Sequence, residues 1–163
     1  MAAPNDRPER TAAIARPSLQ RQALDLYPFK VEILARYADV DPLWHINNVA
    51  IAQYYEEARV STTRRIMGGG RIPTGPELRP LLARQSIDYL REASYPGKLT
   101  VGVGVLRIGN SSYTLGMGMF QDGNCVSVSD AVLVVAGTGG PMRLPDDYRS
   151  RMETLRLDLE PTT

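Results

Sequence analysis

The segment that decides the fold is residues 38–48, ADVDPLWHINN, which stands immediately before the one long stretch of helical periodicity in the chain. From Val49 to about Met67 the apolar residues recur at a helical spacing, whereas the residues before the segment alternate as in a strand. Asn47 or Asn48 supplies a side chain suited to cap the start of the helix. The sequence therefore predicts a strand, a polar loop and a long capped helix. The predicted apolar face of that helix consists of Ile51, Tyr55, Ala58, Thr62 and Ile66.

The rest of the chain carries four further stretches of alternating apolar residues, separated by tight turns. Together with a first strand at about 29–37, they predict strands at 80–91, about 99–105, 113–119 and 126–136. Strands joined by consecutive hairpins form an antiparallel sheet, and the single long helix must cover one of its faces. The predicted fold class is therefore α+β, with one long helix wrapped by a five-stranded antiparallel sheet.

Glycines alternate in two neighbouring strands of this predicted sheet. We expect them to let the helix approach the backbone closely, because they carry no side chain. These residues are Gly102, Gly104, Gly116 and Gly118.

The chain has 163 residues, a length that suits one domain. Residues 1–26 are rich in Ala, Arg and Pro and are expected to form a mobile arm with a short helix near 18–24. Residues 27–137 form the domain, and residues 138–163 form a tail that can become helical at about 146–157. One helix leaves much of a five-stranded sheet uncovered, so we expect a homodimer.

The composition argues against several functional classes. The net charge is +1 at neutral pH, which provides no overall positive field for nucleic acid or a membrane surface. One cysteine, Cys125, and one histidine, His45, are too few for a disulfide framework or a usual zinc site, so no metal is expected. No apolar run approaches the roughly 18 residues of a membrane span, and no signal peptide is recognisable. We therefore expect a cytoplasmic protein, with Cys125 buried as a small apolar residue.

Polar and ionisable side chains crowd the loop at 38–48, together with the only tryptophan. The N-terminus of a helix presents free amide groups and a partial positive charge, which can polarise a carbonyl oxygen. A carboxylate beside those amides can act on the carbonyl carbon as a nucleophile or as a general base. The alternative is that these polar groups only satisfy the backbone, as an Asx-turn and an N-cap. Periodicity alone leaves both interpretations open.

Two motifs resemble those of a known enzyme superfamily: residues 41–48, DPLWHINN, and residues 54–59, YYEEAR. They are similar to the loop and helix of the hotdog-fold acyl-CoA thioesterases, the superfamily of 4-hydroxybenzoyl-CoA thioesterase. The predicted order of elements also resembles the hotdog fold, and the likeness extends from about residue 29 to residue 136. One departure is Trp44, which stands where the superfamily usually has Gly. We expect its indole to narrow the acyl pocket or to reshape the loop.

The resemblance implies roles for the residues of the loop. Asp41 would be the catalytic carboxylate, either attacking the thioester carbonyl or activating a water, and Asp39 is the competing carboxylate. The amide of Asn48 would polarise the thioester oxygen. His45 and Asn47 would hold the loop or shape the pocket. A general-base role for His45 is the lesser alternative, because the sequence assigns it no partner carboxylate.

The resemblance also implies contacts with the substrate outside the catalytic carboxylate. Trp44 would border the acyl group. A turn between two late strands would contact the nucleotide or the pantetheine of coenzyme A. The residues of this turn are Asn110, Ser111 and Ser112.

The implied function is hydrolysis of an acyl-CoA or acyl-carrier thioester, with coenzyme A as part of the substrate and no separate cofactor. The expected assembly is a homodimer, or a dimer of dimers, that shares the pocket. Two alternatives remain. One is a hotdog hydratase or dehydratase acting on an enoyl-CoA, because residues 39–45 nearly match the loop of those enzymes. The other is a hotdog dimer that binds an acyl ligand without turning it over. The spacing of Glu56 and Arg59 favours a structural ion pair over catalysis.

Overall fold

The computed structural model describes residues 17–70 and 77–159. Its strands pair antiparallel in one sheet with the order β1-β3-β4-β5-β2, and a short strand, β6, adds to β5. The predicted fold class is confirmed, because one long helix lies against a five-stranded antiparallel sheet. The elements are β1 (Phe29–Leu34), α1 (Asn48–Ile66), β2 (Arg79–Tyr89), β3 (Lys98–Ile108), β4 (Ser112–Gln121), β5 (Asn124–Gly137), β6 (Gly140–Pro141) and α2 (Asp146–Glu153).

The long helix α1 covers one face of the sheet with the side chains that its periodicity predicted. Tyr55, Ala58 and Ile66 are buried in one apolar core with the inward residues of β3 and with Leu115 and Met117 of β4. Each large apolar side chain in such a core contributes on the order of 2 kcal/mol. This packing fixes the start of α1, and with it the preceding loop, against one end of the sheet. Neither α1 nor any other described helix is long and apolar enough to cross a membrane.

The four alternating glycines do not face α1, so that prediction was wrong. Successive residues of a strand point to opposite faces, and the valines of β3 that contribute to the α1 core place the intervening glycines on the other face. Side chains from the two ends of the chain lie directly over them, where an added Cβ would overlap those side chains. The covered pairs are Gly102 and Gly118 under Tyr27, and Gly104 and Gly116 under Leu157.

The N-terminal part of this cover consists of two short 3₁₀ helices, Leu19–Gln22 and Leu24–Leu26, which precede β1. Arg21 forms an ion pair with Asp130 of β5 at 2.6 Å. The described part of the predicted arm therefore packs on the sheet, whereas residues 1–16 lie outside the described residues.

The C-terminal part of the cover follows α2, which ends at Glu153 and is shorter than predicted. The amide of Val105 donates to the carbonyl of Leu155 at 2.7 Å, and the amide of Leu157 donates to the carbonyl of Val105 at 3.0 Å. These bonds to β3 replace the hydrogen bonds that further helical turns would make. The predicted tail therefore pairs with β3, where Leu155 joins the core under α1 and Leu157 covers the glycine face.

Candidate active site

The loop before α1 folds back on itself as a short hairpin. Val40 and Ile46 pair as an antiparallel bridge, and the amide of Asp41 donates to the carbonyl of His45 at 2.9 Å. Residues 42–44 make the turn, in which proline takes a position that its fixed φ suits. The hairpin therefore projects its turn from the end of the sheet where α1 begins.

Trp44 occupies the position in this turn that requires a left-handed backbone. Its φ is 66°, and its amide donates to the carbonyl of Asp41 at 3.0 Å. Three-residue hairpin turns place a left-handed residue at this point, and glycine adopts that conformation without steric cost. The turn thus explains why glycine is usual at this position of the motif. In this chain the backbone conformation is kept, although the residue is Trp44.

Asp41 is half-buried and uses one carboxylate oxygen to hold the loop together. Its Oδ1 accepts hydrogen bonds from the amides of Leu43, at 2.8 Å, and His45, at 3.3 Å. Its Oδ2 receives no hydrogen bond from the residues that the structure describes. One oxygen therefore closes an Asx-turn, as the structural interpretation of the loop expects, and the other is left available for chemistry.

The start of α1 is capped as the sequence predicted. Asn47 is the N-cap, and its Oδ1 accepts a hydrogen bond from the amide of Val49 at 2.8 Å. Asn48 is the first helical residue, so its amide is one of those that an α-helix leaves without an intrahelical partner. Asn48 and Asp41 border the same cavity. The structure therefore brings together the carboxylate and the helix-terminal residue to which the sequence assigned the chemistry of the loop.

This cavity, which we call the polar cleft, has a volume of about 620 Å³. One wall is the loop, and the other is residues 89–93, where the chain leaves β2. The amide of Ile46 donates to the carbonyl of Ala93 at 2.8 Å and ties the two walls together. The lining residues are Asp41, Leu43, His45, Ile46, Asn48, Ile51, Tyr89, Leu90, Arg91, Glu92 and Ala93.

Glu92 supplies the partner carboxylate that the sequence could not assign to His45. Its Oε2 lies 2.9 Å from Nε2 of His45. Tyr89 donates from its hydroxyl to the carbonyl of Asn48 at 3.4 Å, and Arg91 borders the same cleft. No pattern in the sequence pointed to these three residues, because they lie far along the chain in a segment without a recognisable motif. The tertiary fold brings this segment beside the loop, where Ile46 bonds to Ala93 and His45 to Glu92.

The competing carboxylate, Asp39, is 5% exposed and has both oxygens engaged. Arg36 donates to Oδ2 and Oδ1 at 3.0 and 2.8 Å, and the hydroxyl of Tyr54 donates to Oδ2 at 2.5 Å. The hydrogen bond from Arg36 is the main cause that lowers the pKa of Asp39 to about 2, despite the opposing effect of burial. Burial, and then the bond to Asp39, raise the pKa of Tyr54. Asp39 therefore anchors the loop and has no free oxygen to offer a substrate.

The turn at residues 110–112 lies at the opposite end of the sheet from the loop. Leu34, at the end of β1, pairs with Lys98 at the start of β3, whereas the turn follows Ile108 at the end of β3. The eleven residues of β3 span roughly 35 Å at the usual rise of an extended strand. Within one chain, the structure does not bring this turn to Asp41.

Two further interpretations of the sequence are confirmed. Cys125 is buried, and burial raises the pKa of its thiol. Glu56 is exposed on α1 and forms an ion pair with Arg59 at 3.2 Å, so it belongs to the helix surface.

Among the described residues, no group of three or more His, Cys, Asp and Glu side chains is arranged to hold a metal ion.

Comparison with known proteins identifies the family to which this fold belongs. The model of the thioesterase-like superfamily matches residues 35–152, which include the loop, α1 and strands β2 to β5. The PA5185 protein of Pseudomonas aeruginosa strain PAO1 is 25% identical and superposes with a TM-score of 0.76, covering 85% of this chain and 99% of that chain. A predicted thioesterase from Bacillus stearothermophilus is 26% identical with a TM-score of 0.73, covering 82% of this chain and 98% of its own.

Two more relatives extend the comparison. A thioesterase from Thermus thermophilus, solved in complex with coenzyme A and Zn, is 30% identical with a TM-score of 0.68, covering 79% of this chain and 94% of that chain. The uncharacterized protein YsmA of Bacillus subtilis strain 168 is 28% identical over 89 residues, which are 55% of this chain and 58% of YsmA. The superfamily match covers most of the chain, and the chain therefore belongs to the thioesterase-like superfamily of hotdog-fold enzymes, as residues 41–48 and 54–59 implied.

Proposed function

We propose that this chain is an acyl-CoA thioesterase whose reacting centre is the polar cleft between Asp41 and the start of α1. The observation that carries the proposal is that the half-engaged carboxylate of Asp41 and the free amide of Asn48 border one cavity. The coenzyme A bound to the Thermus thermophilus thioesterase supports a CoA thioester as the substrate class.

The amide of Asn48 holds the thioester oxygen, and the partial positive charge at the start of α1 adds to this hydrogen bond. Polarisation makes the carbonyl carbon electrophilic. The carboxylate of Asp41 either attacks this carbon to form a mixed anhydride or removes a proton from a water that attacks it. In the first route, water later hydrolyses the anhydride. Both routes break the carbon–sulfur bond, consume one water and yield a carboxylic acid and the protonated thiol of coenzyme A.

His45 is assigned a positioning role in this mechanism. Its amide and carbonyl both bond to Asp41, and its Nε2 faces Glu92 across the polar cleft. The pair joins the loop to the segment after β2. His45 thereby holds Asp41 at a set distance from Asn48, and the reaction uses the carboxylate of Asp41 as its base or nucleophile.

The functional unit is a homodimer formed along β2. This strand is an edge of the sheet, eleven residues long, and it exposes three apolar side chains at 43–45%: Leu81, Leu82 and Tyr89. The opposite edge, β1, is six residues long and exposes the charged Lys30 and Glu32 together with Leu34. The exposed charges of β2 are Arg79 and Arg84. The longer edge, β2, offers more backbone for pairing and is the one that a second copy covers.

Antiparallel pairing of two β2 strands about a two-fold axis reverses the direction of the partner's sheet. The end of that sheet with the turn at residues 110–112 then lies at the same end as the Asp41 loop of the first chain. In this arrangement the turn can contact a substrate held by the other chain. Sedimentation velocity is expected to give twice the 18.0 kDa mass of the chain, or four times for a dimer of dimers. A monomer that hydrolyses acyl-CoA would contradict the assembly alone.

A panel of short, long and aromatic acyl-CoAs, followed by release of free thiol, tests the proposed activity. We expect one thiol released for each thioester consumed. Addition of water to an enoyl-CoA without thiol release would instead identify a hydratase. Saturable binding of acyl-CoAs with neither reaction would identify a ligand-binding protein and refute the proposed hydrolysis.

A further inference from the structure

Trp44 is a bulky residue held in a backbone conformation that suits glycine. Its φ is 66°, and this region is unfavourable for residues with a large side chain. Packing in the core does not offset the strain, because the side chain is 74% exposed. Backbone strain that a fold maintains is concentrated at functional sites. The exposed indole is therefore a candidate for ligand binding rather than for stabilising the fold.

The indole borders another cleft, which we call the aromatic cleft, of about 440 Å³. Asp41 borders both the polar cleft and the aromatic cleft, so the two meet at the proposed reacting group. The aromatic cleft is formed by Tyr37, Ala38, Val40, Asp41, Pro42 and Trp44.

The second ring of the aromatic cleft, that of Tyr37, is supported from outside. It packs edge-on against Tyr95, with the ring centroids 5.9 Å apart and an angle of 69° between the planes. This contact restricts the ring of Tyr37. Trp44 is restricted through its backbone, because the amide of Trp44 bonds to Asp41 and the neighbouring amides of Leu43 and His45 bond to the carboxylate of Asp41. The ring of Tyr37 is thus held in place, and the backbone that carries the indole of Trp44 is fixed beside the carboxylate of Asp41.

We propose that Trp44 binds a planar aromatic ring of the thioester substrate in the aromatic cleft. The inference rests on the proposed function, which brings the substrate carbonyl to Asp41. A flat indole beside a fixed tyrosine suits stacked or edge-on contact with another ring. A CoA thioester offers two such rings, an aryl acyl group and the adenine of coenzyme A. The shared position of Asp41 places an aryl acyl group nearer to the cleft than adenine.

Kinetics of two variants on three substrates test this inference and separate the two rings. Trp44→Gly removes the indole and relieves the backbone strain at this position. Trp44→Phe is the matched control, because it keeps an aromatic ring. The substrates are benzoyl-CoA, hexanoyl-CoA and benzoyl-pantetheine, which lacks adenine. We expect Trp44→Gly to lower kcat/KM about tenfold or more for the two benzoyl thioesters, mainly through KM, and much less for hexanoyl-CoA. Trp44→Phe should retain most of the activity on all three.

The pattern of losses identifies the ring. Loss with both benzoyl thioesters but not with hexanoyl-CoA assigns the cleft to the acyl group. Loss with both CoA thioesters but not with benzoyl-pantetheine assigns it to adenine. Equal loss with all three substrates shows that Trp44 only shapes the loop, and no loss with any shows that it binds nothing; both results overturn the inference.

A binding measurement separates this inference from the proposed activity. Trp44 is the only tryptophan, so its fluorescence reports on the aromatic cleft without interference. Coenzyme A is the probe for adenine binding, and benzamide is the uncharged probe for an aryl group. Saturable quenching by either probe supports the inference even if no thioester is cleaved. Absence of quenching by both probes and by benzoyl-CoA overturns it, and thiol release by the same protein would still support the proposed activity.

Discussion

Asp39 and Asp41 stand two residues apart in the same loop, but the structure gives them different surroundings. Asp39 is buried, and its oxygens are taken by Arg36 and Tyr54. Asp41 gives one oxygen to the amides of its own turn, and its other oxygen, which accepts no hydrogen bond from the described residues, lies beside two clefts. Partners and burial thus decide whether a carboxylate of this loop anchors the fold or stays accessible to a ligand.

Asp41→Asn tests the reactive half of this comparison and has the largest expected effect. Asparagine keeps an oxygen that can accept the two loop amides, but it can act neither as a nucleophile nor as a base. We expect kcat/KM for thioester hydrolysis to fall about 10²- to 10⁴-fold, measured by thiol release. The free energy of unfolding in urea should change by less than about 1 kcal/mol. Activity within tenfold of the unmodified protein would show that Asp41 is not the reacting group.

Asp39→Asn tests the structural half. The change breaks the ion pair with Arg36 and weakens the bond from Tyr54, so we expect the free energy of unfolding to fall by about 2 to 4 kcal/mol. Tyr54→Phe is the matched control, because it removes one hydrogen bond and should cost about 1 kcal/mol. Urea unfolding of the three proteins measures both losses. Equal stability of Asp39→Asn and the unmodified protein would contradict the assignment of Asp39 as an anchor.

The pH dependence of the same difference sharpens the test of Asp39. The pKa of Asp39 is about 2 in the folded protein, below the value of about 4 for an unfolded Asp. Its charged form therefore stabilises the fold fully above about pH 5, and this stabilisation is lost as the pH falls toward 2. The gap in unfolding free energy between the unmodified protein and Asp39→Asn should be constant from pH 7 to 5 and shrink below that. A gap that is unchanged at pH 3 would contradict this account.

The local elements could be predicted because each depends on neighbours along the chain. Tyr55, Ala58 and Ile66 face the core as their spacing required, and Asn47 caps α1 with its own side chain. The glycines of β3 and β4 could not be placed in the same way. Alternation shows that a strand has two faces, but it does not show which segment covers each face. Tyr27 and Leu157 come from distant parts of the chain to cover the glycine face.

The candidate site likewise has a part that the sequence predicts and a part that it does not. The loop motif, its Asx-turn and the helix cap could be predicted, since they join residues at most a few positions apart. Glu92, the partner of His45, could not, because it is brought to the loop only by the packing of the sheet. The left-handed backbone of Trp44 could not be predicted either, because tryptophan disfavours this conformation and only the hairpin turn imposes it.

The sequence by itself determined the order of the elements, the buried face of α1 and the family to which the loop motif belongs, because hydrophobic periodicity and capping act over short distances along the chain. The tertiary structure alone decided which carboxylate borders the clefts, which face the glycines line and which residues complete the polar cleft. Burial and hydrogen bonding between distant segments set these properties, and such contacts exist only once the sheet has assembled.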